Sequence, residues 1–113
     1  MMPLLEYPTL RDIHQARERL KPHIRHTPLL RAEKMEATLG CELYLKPETL
    51  QITGAFKIRG ALNKALSLPR EAIANGIIAT SSGNHAQGLA YAARMLGVKA
   101  LLVVPVTTPK IKV

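Results

Sequence analysis

The chain has 113 residues, 47% of them hydrophobic and 21% charged, with a mean hydropathy of +0.03. That suits one globular domain and excludes disordered and collagen-like classes. The lone Cys41 rules out an internal disulfide and a cysteine-based zinc site. Sixteen Lys and Arg against eight Asp and Glu give a net charge of +8. This balance suits an anionic partner, either nucleic acid or anionic small molecules. The cations form no run, and Tyr7, Tyr44, Phe56 and Tyr91 are too scattered for a base-stacking platform.

In chain order, Thr9 and Asp12 resemble a capping box, and Leu10, Ile13, Ala16 and Leu20 form the apolar stripe of a first helix that Pro22 breaks. His26-Thr27-Pro28-Leu29 reads as a turn. A second helix is predicted over Ala32–Leu39, with Gly40 as its left-handed cap. Cys41–Lys46 alternates as a strand does, and Pro47–Gly54 is a loop.

Apolar residues at 58, 61, 62, 65 and 66 predict a helix closed by Pro69. A short helical turn over Arg70–Asn75 ends at Gly76. Ile77–Thr80 is a short buried strand and Ser81-Ser82-Gly83 a turn. Ala86, Leu89, Ala90, Ala93 and Leu96 mark another helix, capped by Gly97. Lys99–Val104 is an apolar strand, Pro105–Pro109 a loop, and Lys110–Val113 the first turn of a further element. From Cys41 the order is strand, helix, strand, helix, strand. The expected fold is therefore α/β, a three-layer αβα arrangement around a parallel sheet.

The most apolar run, Ala100–Val106, is far short of the roughly 20 residues that cross a bilayer. Met1–Pro8 lacks the basic and apolar blocks of a secretory leader. The expectation is a soluble, cytoplasmic protein that contacts neither membrane nor nucleic acid.

Two strand-to-helix junctions carry chemistry. In Ser81-Ser82-Gly83-Asn84-His85, free backbone N–H groups and the helix dipole suit a carboxylate or phosphate. Ser and Asn are equally the favoured helix caps. In Thr53-Gly54-Ala55-Phe56-Lys57-Ile58-Arg59-Gly60, Lys57 stands at a helix start, where the dipole disfavours a cation. Apolar neighbours and nearby Arg59 would both lower its pKa, as Schiff-base chemistry requires. A solvated surface lysine is the alternative. No Walker A pattern, no dinucleotide fingerprint and no metal-ligand spacing is present.

These segments resemble the threonine dehydratase and serine racemase branch of the fold-type II pyridoxal-phosphate (PLP) enzymes, whose fold is tryptophan synthase β-like. Four features match in order: His26-Thr27-Pro28-Leu29; Lys46-Pro47-Glu48 leading through Gln51 to Thr53–Ala61; Ser81–Gly88; and Val104-Pro105 with Pro109-Lys110. The resemblance implies that Lys57 holds PLP as a Schiff base and later removes the substrate Cα proton. Phe56 would pack on the cofactor ring and Asn84 would hydrogen-bond its 3′-oxygen. Ser81, Ser82, Gly83, Asn84 and His85 would grip the substrate carboxylate. Ser82 would be the acid/base on the opposite ring face, as in racemases.

The implied reaction is β-elimination from a hydroxy-amino acid, threonine or serine, to a 2-oxo acid and ammonia, within amino acid metabolism such as isoleucine biosynthesis. Serine racemisation is the alternative. A basic binding module is the alternative of another class, tested by a gel-shift at low salt. Residues 1–53 are expected to belong to the large PLP domain and residues 54–113 to an incomplete small α/β domain. The family's glycine-rich phosphate loop has no counterpart in the 113 residues. The chain is therefore expected to be the N-terminal portion of a longer, homo-oligomeric enzyme, inactive alone.

Overall fold

The computed structural model describes residues 7–111 and Val113. The leader reading thus falls largely on residues 1–6, outside the described residues. Of the further element expected after Pro109, Lys112 lies outside them too, and the Val113 N–H closes a turn onto the Lys110 carbonyl at 3.1 Å.

Helix α1 spans Leu10–Leu20. The Asp12 N–H donates to Thr9 Oγ1 at 3.3 Å and the Thr9 N–H to Asp12 Oδ2 at 2.8 Å, so the capping box forms with Asp in place of Glu. Strand β1 (Leu30–Arg31), helix α2 (Glu33–Leu39) and strand β2 (Tyr44–Leu45) follow. A single 3-10 turn at Glu48–Leu50 leads to α3 (Lys57–Ser67) and the short α4 (Arg70–Ile73). Strand β3 (Ile77–Thr80), helix α5 (Asn84–Leu96) and strand β4 (Ala100–Val103) complete the described chain. Gly40 and Gly97 end α2 and α5 in the left-handed conformation, at φ +68° and +69°.

The expected run of three parallel strands is corrected. Only β3 and β4 pair in parallel, with Ile77 opposite Ala100 and Thr80 opposite Val103. The Cys41–Lys46 segment contributes β2 alone, which pairs antiparallel with β1 in a separate sheet. Alternation signals a strand but not its partner. Here the partner is Leu30–Arg31, which directly follows the His26–Leu29 turn and lies outside the segments expected as strands. Glu36 secures this strand pair to α2, accepting both Arg31 Nε and Nη2 at 2.9 Å and the Leu43 N–H at 3.0 Å.

The α/β arrangement holds, with α5 against one face of the β3–β4 pair. Ile78, Leu101 and Val103 on the opposite face are exposed, so the third layer is not supplied by the described residues. The core lies between helices: Leu20, Ile58, Leu62, Ala65 and Ala92 cluster, with Ile77 and Tyr91 packed against them. The α1 stripe is corrected as well. Leu20 is buried, whereas Leu10 and Ile13 are exposed. Arg19 of α1 donates to Asn63 Oδ1 of α3, joining the two helices.

Candidate functional site

Lys57 is the first residue of α3, as the periodicity placed it. The approach to it is a tight turn. The Gly54 N–H donates to the Gln51 carbonyl at 2.8 Å and Gly54 sits at φ +66°, a conformation that favours glycine. Ala55 is buried and anchors the turn. Phe56 and Lys57 point outward, Phe56 being 58% exposed, with Lys57 Nζ 5.0 Å from the centre of the Phe56 ring. The apolar surround expected for Lys57 is therefore not formed by the described residues. Arg59, the nearby cation, is ion-paired to Glu48.

The second junction follows β3. The Ser81 N–H donates to the Val103 carbonyl at 3.2 Å, tying the loop to the end of β4, and Ser81 Oγ accepts the Gly83 N–H at 3.3 Å. Gly83 occupies the N-cap position of α5, and no side chain caps the helix. Of the two readings of Ser81–Asn84, the helix cap is thus not the one realised. Ser81, Ser82 and Gly83 are half-buried, and Asn84 and His85 are exposed. The first turn of α5 keeps its N–H groups directed away from the helix body, where its dipole adds positive potential.

The helices that follow the two junctions, α3 and α5, pack on each other. Gly88 in α5 lies against Ile58 in α3 so closely that an added Cβ would stand 3.1 Å from Ile58 Cα and 3.3 Å from Ala61 Cβ. Gly88 is four residues past Asn84, and Ile58 one past Lys57. The lysine thus stands at the start of one helix whose first turn touches the second turn of the other. The buried residues of α5 are Ala86, Gly88, Leu89, Ala92 and Ala93, so Gly88 and Ala92 turn inward where Ala90 was expected. Small side chains permit this close approach.

A polar network behind Lys57 carries no role in the sequence reading. Glu48 Oε2 accepts Arg59 Nε at 2.7 Å, and Oε1 accepts Arg59 Nη2 at 2.7 Å and Thr27 Oγ1 at 2.6 Å. Lys46 Nζ donates to the Thr27 carbonyl at 2.9 Å. The Arg59 guanidinium, with help from Thr27, holds the Glu48 carboxyl down to about 2, and Glu48 in turn raises Arg59. Gln51, 2% exposed, accepts the Arg25 and Ile52 N–H groups on Oε1 and donates from Nε2 to the Arg25 carbonyl. The signal available beforehand was the co-occurrence of Thr27, Lys46, Glu48 and Gln51 in the matched motifs. Their pairing spans up to 32 residues, which spacing does not disclose.

Residues 20–113 match the family model described as "Pyridoxal-phosphate dependent enzyme". The chain is 50% identical over 101 residues to an L-threonine ammonia-lyase of Geobacter sulfurreducens, covering 89% of this chain and 25% of that protein. It is 48% identical over 102 residues to a serine racemase of Arabidopsis thaliana, covering 90% and 31%. Among solved structures, maize serine racemase superposes with a TM-score of 0.88 at 36% identity, over 95% of this chain and 32% of that one. A bacterial threonine deaminase, from T.th., superposes with a TM-score of 0.76 at 53% identity, over 87% and 31%. The chain therefore spans about a quarter to a third of the length of these relatives.

Proposed function

Because the chain belongs to the family of pyridoxal-phosphate dependent enzymes, we propose that it carries the lysine-bearing part of a threonine/serine dehydratase. Such an enzyme converts L-threonine or L-serine to a 2-oxo acid and ammonia by β-elimination. The observation that carries this reading is the contact of Ile58 with Gly88. It packs the helix that begins at Lys57 against the helix that follows the Ser81–Gly83 turn, and it supports this reading in a chain half identical to a threonine ammonia-lyase.

The donor set fits the cofactor. An aldehyde needs a primary amine, which Lys57 offers in the open next to an exposed aromatic ring. When bound, PLP supplies an electron sink for charge developing at the substrate Cα. Lys57 Nζ would hold the cofactor and take the proton from the substrate Cα, and Phe56 and Asn84 would hold the cofactor beside it. The N–H groups and side chains of Ser81, Ser82, Gly83, Asn84 and His85 bind and orient the substrate carboxylate. In this reading residues 1–53 belong to the large domain and 54–113 to the small one. The enzyme is cytoplasmic and homo-oligomeric, and acts on small hydroxy-amino acids rather than on nucleic acid or membrane. No helix among the described residues is long and apolar enough to cross a membrane.

Serine racemisation is the second reading, and Ser82 favours it. A hydroxyl on the face opposite Lys57 would return a proton to Cα from the other side. The 48% identity to a serine racemase supports it equally.

The test is a chimera in which residues 20–113 replace the matching segment of the Geobacter enzyme. With PLP it should form a 2-oxo acid and ammonia from L-threonine, and Lys57→Ala should abolish this. Turnover that survives Lys57→Ala overturns the assignment. D-serine formed from L-serine without 2-oxo acid decides for racemisation.

A further inference from the structure

The segment leading into Lys57 is a closed loop. It leaves the 3-10 turn at Glu48, passes the buried Gln51 and the Gly54 turn, enters α3 at Lys57, and returns to Glu48 through the side chain of Arg59. Both Arg59 nitrogens that bond Glu48 do so at 2.7 Å, one to each carboxylate oxygen, the two-pronged geometry only a guanidinium provides. Thr27, 1% exposed, backs the carboxylate from the far side and accepts Lys46 on its carbonyl. Gln51 pins the middle of the loop to the Arg25 backbone. The Glu48 side chain is 15% exposed and that of Arg59 31% exposed, so the pair is shielded from water on most sides.

This closure bears on the direction of Lys57. α3 has no side-chain cap, and its N-cap residue, Phe56, is exposed and already helical. The buried Ile58 holds the inner side of the first turn, but no side-chain cap holds its outer, Lys57-bearing side. The Arg59–Glu48 fork adds a tie there, one half-turn along the helix from Lys57.

We propose that Glu48 and Arg59 are positioning residues that clamp the loop 48–59 and hold Lys57 in the direction from which its amine meets the cofactor. This rests on Lys57 being the cofactor-bearing lysine.

The experiment uses the 113-residue chain itself. It is treated with pyridoxal 5′-phosphate and borohydride, and the label on each lysine is read by mass spectrometry. Lys64, exposed on α3 but outside the closed loop, is the internal reference. Amide exchange over residues 52–57 is compared with exchange over α5.

The wild-type chain should label Lys57 in preference to Lys64. In Glu48→Gln the Lys57-to-Lys64 ratio should fall about fivefold, and exchange over 52–57 should quicken by a similar factor while α5 is unchanged. Arg59→Lys keeps the charge and lacks the fork, and should fall in the same direction. If Glu48→Gln loses its helical circular dichroism, Arg59→Lys carries the comparison.

A Lys57 preference that survives in the folded variants overturns this inference alone. Changes that extend equally to Lys64 and α5 show general loosening and overturn it too. A wild-type chain with no preference for Lys57 overturns the cofactor reading, and this inference with it.

Discussion

Gly88 and Ile58 meet backbone to backbone. A Cβ on Gly88 would lie 3.1 Å from Ile58 Cα and 3.2 Å from Ile58 N. Those neighbours are main-chain atoms of a helix and have no rotamer to change. The spacing between the first turn of α3 and the second turn of α5 depends on the missing side chain.

Gly88→Ala should therefore lower the unfolding free energy in urea by about 1–3 kcal/mol, although alanine is the better helix former by about 1 kcal/mol. Gly60→Ala is the control, since Gly60 is also helical, in α3, and has open space around its Cβ direction. That change should raise stability by about 0.5–1 kcal/mol. A Gly88→Ala chain as stable as wild type would show that the helices approach less closely than described.

The Glu48 carboxyl titrates at about 2 in the folded chain against its ordinary 4.5, because Arg59 and Thr27 bond its ionised form. Its contribution is complete above the unfolded value and fades as pH falls from about 4.5 towards 2. Glu48→Gln should cost about 2 kcal/mol at neutral pH, after allowing for solvent at the partly exposed Arg59. Its stability should also depend less on pH across that acid window than wild-type stability does. Denaturant titrations repeated at several acid pH values read both effects. Parallel curves for the two proteins would remove the pair from the account of acid stability.

Gln51 makes three hydrogen bonds, to the Arg25 N–H, the Arg25 carbonyl and the Ile52 N–H. Gln51→Leu roughly keeps the volume and leaves those partly buried backbone groups without their side-chain partner. It should cost about 2 kcal/mol or more, and the Arg25 amide should lose its exchange protection. Retained protection at Arg25 would mean that another acceptor takes its N–H.

Much of the local structure is legible in the residues. Thr9 with Asp12 signals the start of α1, and Gly40 and Gly97 mark the ends of α2 and α5. The spacing of Ile58, Ala61, Leu62 and Ala65 marks the buried face of α3, and all four are buried. The two junctions with unusual residues are also evident from the sequence. The face of α5 is less so, because an inward glycine looks like a breaker in a hydrophobic pattern until its neighbour is known.

The sequence by itself determined what neighbouring residues settle among themselves: caps, helix lengths, the parallel β3–α5–β4 unit, and the family to which Lys57 and the Ser81–Gly88 loop are similar. Backbone sterics and hydrogen bonds within a few residues are sufficient for these. Only the tertiary structure decided that β2 pairs with Leu30–Arg31, that Arg59 turns to Glu48, that Gly88 rests on Ile58, and that Lys57 stands exposed. Each of these is a contact or an exposure set by residues distant in the chain. Its energy comes from partners that periodicity and propensity do not name.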